Sequence, residues 1–284
     1  MKVSIIILHY KYIQDTFDCL RSIGTLKFNQ NQIGVLFIDN DEKPTLNDHL
    51  SELAKLHKNI TILIPTKNLG FAKGVNMGLK KALEDKKTEY FLILNNDTEL
   101  PGNALAKLIQ YDADIVSPVL KFRSTQGKWV YDYGGKINWW TGRTTHVEST
   151  NKPIIPASPA GRQLTNNPIK HDLDYVSGCC MMVKRKALET VGLFDERFFF
   201  YFEDVDFCLR AKKNGFKIGI DREVIVYHKL GRSIGRWSKK AIMYNLISNY
   251  KFIRKNLGVR QVTGLIYLLL LTLKIIYNRL FKHI

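Results

Sequence analysis

Val3–Leu8 is a β-branched run of the kind that fills a central parallel strand, where both faces meet apolar layers. Ile13, Phe17, Leu20 and Ile23 then recur at helical spacing. Gly34–Ile38 and Ile60–Ile64 predict two more strands, with a short helix between them marked by Leu50, Leu53 and Leu56. Phe71, Val75, Leu79 and Leu83 share one helix face, and Tyr90–Leu94 predicts a fourth strand. Pro101 suits the first turn of a helix carrying Leu105, Leu108 and Ile109. Strands alternating with helices predict an α/β, doubly wound sheet. Ligands of such sheets sit at the carboxyl ends of the strands. Three polar clusters fall there: His9 and Tyr10; Asp39, Asn40 and Asp41; Asn95, Asn96 and Asp97.

From Ile115 the texture changes. Ile115–Phe122, Trp129–Tyr133 and Lys136–Trp140 predict strands around Gly134 and Gly135, followed by a loop reaching Pro168. Val224–Tyr227 predicts a last strand. Between them, five consecutive aromatic residues, Phe198 to Phe202, run straight into Glu203, Asp204 and Asp206. An apolar run does not normally continue into three acids, because unpaired charge is costly to bury. These acids are expected at the rim of a cavity, at the start of a helix whose dipole favours carboxylates. Phe202, Val205 and Leu209 share a face of that helix, and Asp206 can pair with Arg210 at i,i+4. Nothing within a turn neutralises both Glu203 and Asp204, which points them to chemistry.

The 284 residues suit one large domain, or one domain with an appendage. A hydrophobic share of 45% excludes a disordered chain. The net charge of +17 is uneven: no Asp or Glu follows Glu223, while Val224–Ile284 carries twelve Lys and Arg. Such a block seeks an anionic partner, whether membrane surface, nucleic acid or phosphorylated substrate. Cys19, Cys179, Cys180 and Cys208 match no zinc spacing and predict free buried thiols in a reducing compartment. The apolar run at the start is short for a signal-peptide core, so cytoplasmic placement is expected.

The stretch Ser177–Gly215, SGCCMMVKRKALETVGLFDERFFFYFEDVDFCLRAKKNG, resembles the acceptor-side half of a family 2 glycosyltransferase, nearest the rhamnosyltransferase-like branch. The resemblance implies a GT-A, Rossmann-like fold and an inverting transfer from a nucleotide-sugar donor. It implies that the acidic pair supplies the catalytic base, Asp204 ahead of Glu203. In the family a metal-binding Asp-x-Asp motif ends the fourth strand; here its first Asp is Asn95, which leaves Asp97 as the ionised ligand for Mg²⁺ or Mn²⁺. A polar turn is the alternative reading of Asn95, Asn96 and Asp97. The resemblance sets Asp39 against nucleobase and ribose, and leaves Asp41 at the surface. Gly70, Gly74 and Gly78 open a helix whose N-terminus can meet phosphate or ribose, with Asn68 and Asn76 as polar contacts, or else they serve tight helix–sheet packing. The resemblance makes His228 a metal ligand or diphosphate contact; a structural histidine is the alternative. Lys229–Arg236 looks like a phosphate lid, with Arg232 and Arg236 as anion contacts and Gly231 and Gly235 as hinges. His9, Tyr10, Asn95 and Asn96 complete the expected donor site.

These readings divide the chain into a catalytic domain, 1–235, and basic amphipathic helices, 236–284. The domain splits into a donor-binding half, 1–114, and an acceptor-side half, 115–235. In the tail Ile242, Leu246, Tyr250, Ile253 and Leu257 form one expected helix face. The uncharged core Val262–Leu273 is short for a membrane span, so an interfacial helix with snorkelling cations is expected. Its role would be to hold the enzyme against the inner face of the plasma membrane, near a glycan or polyprenyl-diphosphate-linked acceptor of cell-surface polysaccharide assembly. A homodimer contact is the alternative. The first expected donor is dTDP-rhamnose, then a UDP-hexose. A nucleotidyltransferase is a rival enzyme class, with no need for a base at Asp204. A nucleic-acid binder would interleave aromatics with its cations, whereas this tail carries aliphatic faces, which excludes nucleic acid as the expected partner.

Overall fold

Alternation along the first strand organises two cores. In the computed structural model, β1 (Lys2–His9) sends Ile6 and Leu8 to one layer and Val3, Ile5 and Ile7 to the other. The first layer is covered by Phe71, Val75 and Leu79 of a helix at Gly70–Leu83, the second by Phe17, Leu20 and Ile23 of a helix at Ile13–Gly24. These helices are α2 and α1. The structure describes residues 2–42, 49, 52, 55–57, 59–152, 173–229, 235 and 238–281. The short helix expected at Leu50 and Leu53, and the lid from residue 230 to 234 and at 236, lie outside them.

Strands β2 (Ile33–Asp39), β3 (Ile60–Leu63) and β4 (Thr88–Asn95) complete a parallel half, ordered β3-β2-β1-β4. Gly74 and Gly78 set the approach of α2 to this sheet: a Cβ on either would lie 2.5 Å from Leu8 Cδ1 or 2.7 Å from Ile6 and Ile38. Helix–sheet packing is therefore what these two glycines provide. The other half departs from a wholly parallel plan. β9 (Cys180–Lys184) inserts antiparallel between β4 and β6 (Ile115–Arg123). β10 (Ile218–His228) runs parallel to β6, and the two-residue β5 (Thr98–Glu99) pairs antiparallel with its end. The pairs Tyr227 with Glu99 and His228 with Thr98 thereby bring His228 beside Asp97.

β7 (Trp129–Ile137) and β8 (Thr144–Ser149) form a hairpin on β6. Gly134 and Gly135 do not separate two strands here. β7 continues through them, because Tyr175 fills the space above Gly135, where a Cβ would lie 2.2 Å from its ring. Trp139 and Trp140 instead fall in the turn before β8. Helix α3 (Ala104–Gln110) starts three residues after Pro101, whose carbonyl accepts from Ala104 N. Helices α4 (Arg185–Val191), α5 (Glu203–Lys213), α6 (Lys239–Asn256) and α7 (Gln261–Phe281) follow.

The boundary drawn at residue 235 is not a break in packing. Phe252 and Ile253 of α6 are fully buried in the core that contains Phe198, Phe202 and Phe207. The inward face of α6 also differs from the expected one: Ala241, Ser248, Asn249, Phe252 and Ile253 are buried, while Tyr250 is 49% exposed. The polar members can be inward because they find partners, as Ser248 Oγ does on the Phe200 carbonyl at 2.8 Å. All four cysteines are buried and free.

Candidate active site

At the carboxyl end of β1, His9 is fully buried and stacks on Phe37, with centroids 5.6 Å apart. Its Nδ1 meets Thr16 Oγ1 at 2.8 Å and its Nε2 meets Asp41 Oδ2 at 3.3 Å. Asp41 is not at the surface: it is buried and also accepts Lys11 N at 2.8 Å. Burial opposes its charge, but the bonds from His9 and Lys11 hold its carboxyl below the usual range. Asp39 is buried at the base of this cluster and accepts from Asp41 N. Among the described residues, His9, Asp39 and Asp41 form one group able to hold a metal, with ligand atoms within 4.8 Å of one another.

Beside it opens a cleft with a cavity volume of about 170 Å³. Tyr10, Asn68, Gly70, Asn95 and Asn96, all expected at the donor site, line it. Asn40, Phe199, Phe200 and, from α6, Lys240 and Tyr244 line it as well. Asn40 is the organiser: its Oδ1 accepts Leu69 N at 2.8 Å, and its Nδ2 donates to Asn68 Oδ1 and the Gly70 carbonyl, both at 3.2 Å. Gly70 has φ +75° and lies where a Cβ would be 2.3 Å from the Phe199 carbonyl. Only glycine tolerates both conditions. Asn76 faces away from the cleft, because its amide bonds Phe194 N and O at 3.0 and 2.8 Å. Arg232 lies outside the described residues.

Asn96 ties the end of β4 to β1, donating to Lys11 O and Thr16 Oγ1 at 3.2 and 3.0 Å. Asp97 Oδ1 lies 3.2 Å from His228 Nε2, and both residues are buried. Burial alone would raise the Asp97 carboxyl, but His228 holds it below the usual range. Burial likewise disfavours charge on His228, yet Cys179 and Asp97 push it well above the ordinary imidazole value. A carboxylate with an imidazole is a donor set that suits Mg²⁺ or Mn²⁺. Next along the chain, Lys229 Nζ binds Asp15 and Asp18 at 2.9 and 2.8 Å and pins the end of β10 to α1.

The acidic stretch begins α5 as expected. Tyr201 and Phe202, at φ 70° and 69°, occupy the left-handed region just before it. Each such residue costs about 1–3 kcal/mol and persists only where its surroundings force it. Here Phe202 is buried against Phe252, centroids 5.2 Å apart, and Ser248 grips the carbonyl of Phe200. Phe198 and Phe202 are core residues, Tyr201 packs against that core, and Phe199 and Phe200 line the cleft.

Three acids, three environments follow. Asp206 is fully buried and ionically held by Arg210 Nε at 2.9 Å and by Lys255 Nζ of α6 at 2.6 Å. Glu203 is buried, and its Oε2 has no hydrogen-bond partner among the described residues. Desolvation, then the charge of Asp204, pushes its carboxyl well above the usual range, which favours the protonated form. Asp204 is half-buried, with Oδ2 accepting Gly178 N at 3.0 Å and Oδ1 accepting Val205 N at 2.8 Å. Desolvation raises it above the ordinary Asp value against those two donors. The strip Gly178–Cys179 joins the two candidate centres. Gly178 clamps Asp204, the Cys179 carbonyl accepts Asn95 N at 2.8 Å, and Cys179 Sγ lies 3.8 Å from His228 Nδ1. No local pattern in the sequence marks this strip or Tyr244, and Asn40 is legible only as part of the polar cluster that ends β2, since each acts through a partner distant in the chain.

The chain is 28% identical over 80% of its length to a low-salt glycan biosynthesis hexosyltransferase of Haloferax volcanii, of which the match covers 66%. It is 25% identical to a dTDP-rhamnosyl transferase of Shigella flexneri, over 69% of this chain and 60% of the relative. It is 34% identical to an N-acetylglucosaminyl-diphospho-decaprenol L-rhamnosyltransferase of Mycobacterium tuberculosis, over 36% of this chain and 33% of the relative. The matches thus span less than two thirds of each of these relatives. The crystal structure of GalNAc-T7 with UDP, GalNAc and Mn²⁺ superposes with a TM-score of 0.63 at 17% identity, over 87% of this chain and 47% of that one. Staphylococcus aureus TarS with UDP-GlcNAc gives 0.56 at 15% identity, over 94% of this chain and 72% of that one. The fold is that of GT-A glycosyltransferases. The glycosyl transferase family 2 profile matches residues 4–192, and the chain belongs to that family.

Proposed function

We propose that this protein is an inverting glycosyltransferase with Asp204 as its base. The acceptor hydroxyl gives its proton to the Asp204 carboxylate, and its oxygen forms the new bond to the anomeric carbon. The bond from that carbon to the donor diphosphate breaks, and the nucleoside diphosphate leaves with the electron pair. One observation carries the choice of base: Asp204 is partly exposed and its oxygens are oriented by two backbone N–H groups, while Glu203 is sealed off, with one oxygen lacking a partner among the described residues. A raised value strengthens Asp204 as a proton acceptor at neutral pH. Asp97 and His228 would hold a divalent Mg²⁺ or Mn²⁺, which when bound neutralises charge on the leaving diphosphate. His9, Asp39 and Asp41 form a buried cluster beside the cleft proposed to take the donor, and Asn40 holds the turn at Asn68 and Gly70 that lines it.

The proposed donor is dTDP-rhamnose, in keeping with the two rhamnosyl relatives, with a UDP-hexose as the alternative. The test is release of nucleoside diphosphate from a panel of nucleotide-sugars with Mn²⁺ present. Turnover of one donor that is lost in Asp204→Asn supports the reading. Turnover of a nucleoside triphosphate with release of pyrophosphate overturns it in favour of a nucleotidyltransferase.

The acceptor is proposed to be glycan or lipid-linked, reached from an anionic membrane surface. Among the described residues one helical stretch, Gly258–Phe281, is long and apolar enough to cross a membrane. Counting only Val262–Leu273 underestimates it, because the helix continues through Lys274. At 1.5 Å per residue α7 is about 31 Å long, so length alone does not separate a span from an interfacial helix. Packing favours the interface: Gly264 sits against Ile253 and Leu257, while Leu269, Leu270 and Leu273 are exposed on the same helix. Trp140, 61% exposed, adds an interfacial aromatic at the base of α7, with Arg260 4.9 Å over its ring. Replacing Leu269 and Leu273 by Ser should abolish flotation with phosphatidylglycerol vesicles. Flotation unchanged removes the membrane reading, and a dimer that dissociates on the same replacement assigns the face to a second copy.

A further inference from the structure

Two cations at the cleft have no task in the reaction proposed above. Lys11, Glu42 and Lys240 are the charged residues that line it, so the lining carries two positive charges against one negative. Lys11 stands where the chain leaves β1. Its φ of 59° and that of Tyr12, 50°, lie in the left-handed region, which residues other than glycine occupy only where their surroundings force it. Three bonds force it here. Asp41 Oδ1 accepts Lys11 N at 2.8 Å, Asn96 Nδ2 donates to Lys11 O at 3.2 Å, and Asp15 N donates to Tyr12 O at 3.0 Å. The backbone beneath Lys11 is thus fixed at the cleft, and its ammonium lies 5.0 Å over the Tyr10 ring.

Lys240 comes from a distant part of the chain. The family profile ends at residue 192, yet α6 closes on the cleft through Tyr244, whose ring packs on that of Phe199 with centroids 4.8 Å apart and planes at 37°. Phe199 is itself held, its carbonyl accepting Phe71 N at 2.7 Å. One turn after Tyr244, Ser248 donates to the Phe200 carbonyl at 2.8 Å. The start of α6 is thereby set against the cleft. A cation gains nothing there from the helix dipole, which disfavours positive charge at an N-terminus. Among the described residues Lys240 pairs with Glu42 at 3.9 Å, both side chains being 67% exposed. Such an exposed pair is weak and readily exchanged for another anion.

We propose that Lys11 and Lys240 bind the phosphate groups of the donor, so that α6, which lies beyond the family profile, supplies part of the donor site. This rests on the reading of the cleft as the place of a nucleotide-sugar. A diphosphate carries more than one negative charge, and two ammonium groups on separate elements answer it with charge-assisted hydrogen bonds. Lysine suits the task, since its ammonium is a compact charge with rotatable donors on a flexible stem. On binding, Lys240 exchanges the Glu42 carboxylate for a phosphate oxygen. Glu42 is then a competitor for Lys240, and its removal tightens the hold on the anion.

The test is calorimetric binding of UDP, dTDP and GDP, each against its own nucleoside, to the full chain at fixed Mn²⁺. Wild type is compared with Lys240→Gln, Lys11→Gln, Lys240→Arg and Glu42→Gln, each checked for an unchanged thermal transition. Either Gln variant should weaken the nucleoside diphosphate by about tenfold and leave the nucleoside unchanged. Lys240→Arg should keep the wild-type affinity, and Glu42→Gln should tighten the diphosphate alone. Equal losses for diphosphate and nucleoside overturn the proposal and make these side chains walls of the cleft. Affinities unchanged in both Gln variants overturn it too and leave two solvated lysines. A wild type that binds none of the six probes overturns it together with the donor reading of the cleft. Sugar transfer with an unaltered KM for the donor in both Gln variants sinks the inference alone. A tenfold loss for the diphosphate in a protein that transfers no sugar upholds it and sinks only the transferase reading.

Discussion

The floor of strand ends beside the cleft and the mouth of α5 both bury carboxylates, and they treat them in opposite ways. At the floor two acids are given partners from other segments: His228 for Asp97, His9 and Lys11 N for Asp41. Those acids are held below their ordinary values and stay anionic. At the mouth of α5 burial dominates, and Glu203 and Asp204 are pushed up. In the proposed reaction one chemical group serves two tasks. A lasting anion suits cation and donor binding, and a strained one suits proton transfer. What separates Asp97 and Asp41 from Glu203 and Asp204 is how far their partners offset burial.

The comparison breaks first, and hardest, at the base. Asp204→Asn keeps the shape of the side chain but removes the proton acceptor, and transfer should fall about 10²–10⁴-fold without loss of fold. Steady-state product formation measures it, and a rate within tenfold of wild type would return the role to Glu203. Next comes the floor. Asp97→Ala leaves His228 buried beside an empty position and should cost about 3–5 kcal/mol in denaturant unfolding, together with any response of the rate to added Mn²⁺. An intact Mn²⁺ response would move the metal to His9, Asp39 and Asp41.

A smaller effect tests the closure between the two regions. Gly70→Ala forces a side chain into a left-handed position against the Phe199 carbonyl, which should cost about 1–3 kcal/mol and raise KM for the donor. The smallest effect sharpens the contrast in sign. The Glu203 carboxyl is raised by folding, so its ionisation destabilises the native state as pH rises from the unfolded value of about 4.3. Glu203→Gln removes that penalty, and its melting temperature relative to wild type should climb between about pH 4.3 and the raised native value. A pH-independent difference would mean that the acid is charged and paired.

The two regions were also unequally legible. The floor is built from continuous apolar strands whose ends carry polar residues, so Tyr10, Asn68, Gly70 and Asn95 could be placed from sequence order alone. Asp41 could not, because its burial depends on His9 and Lys11 reaching it from the neighbouring strand end. Asn76 looked equally suited to a donor and turned out to clasp Phe194, a partner 118 residues away. Around α5 the acids themselves were readable, as was the Asp206–Arg210 pair. Their surroundings were not: nothing local tells that Gly178 clamps Asp204 or that Lys255 reaches Asp206. The face of α6 was misjudged for a related reason. Apolar periodicity favours Tyr250, while the structure turns inward Ser248 and Asn249, whose value lies in hydrogen bonds.

Lys255 reaches from α6 to Asp195 at 2.7 Å and to Asp206 at 2.6 Å, while Lys251 holds the Arg197 carbonyl at 2.5 Å and Ser248 that of Phe200. Four clasps therefore strap the turn from Asp195 to Asp206 to a helix that comes after the whole sheet in the chain. By linkage, anything that binds α6 or α7 in place also tightens this turn, and anything that loosens the helix slackens it. A chain shortened before Lys239 would lose these clasps together with the core residues Phe252 and Ile253 and the cleft residues Lys240 and Tyr244. Its low activity would then measure a missing brace and say nothing against Asp204.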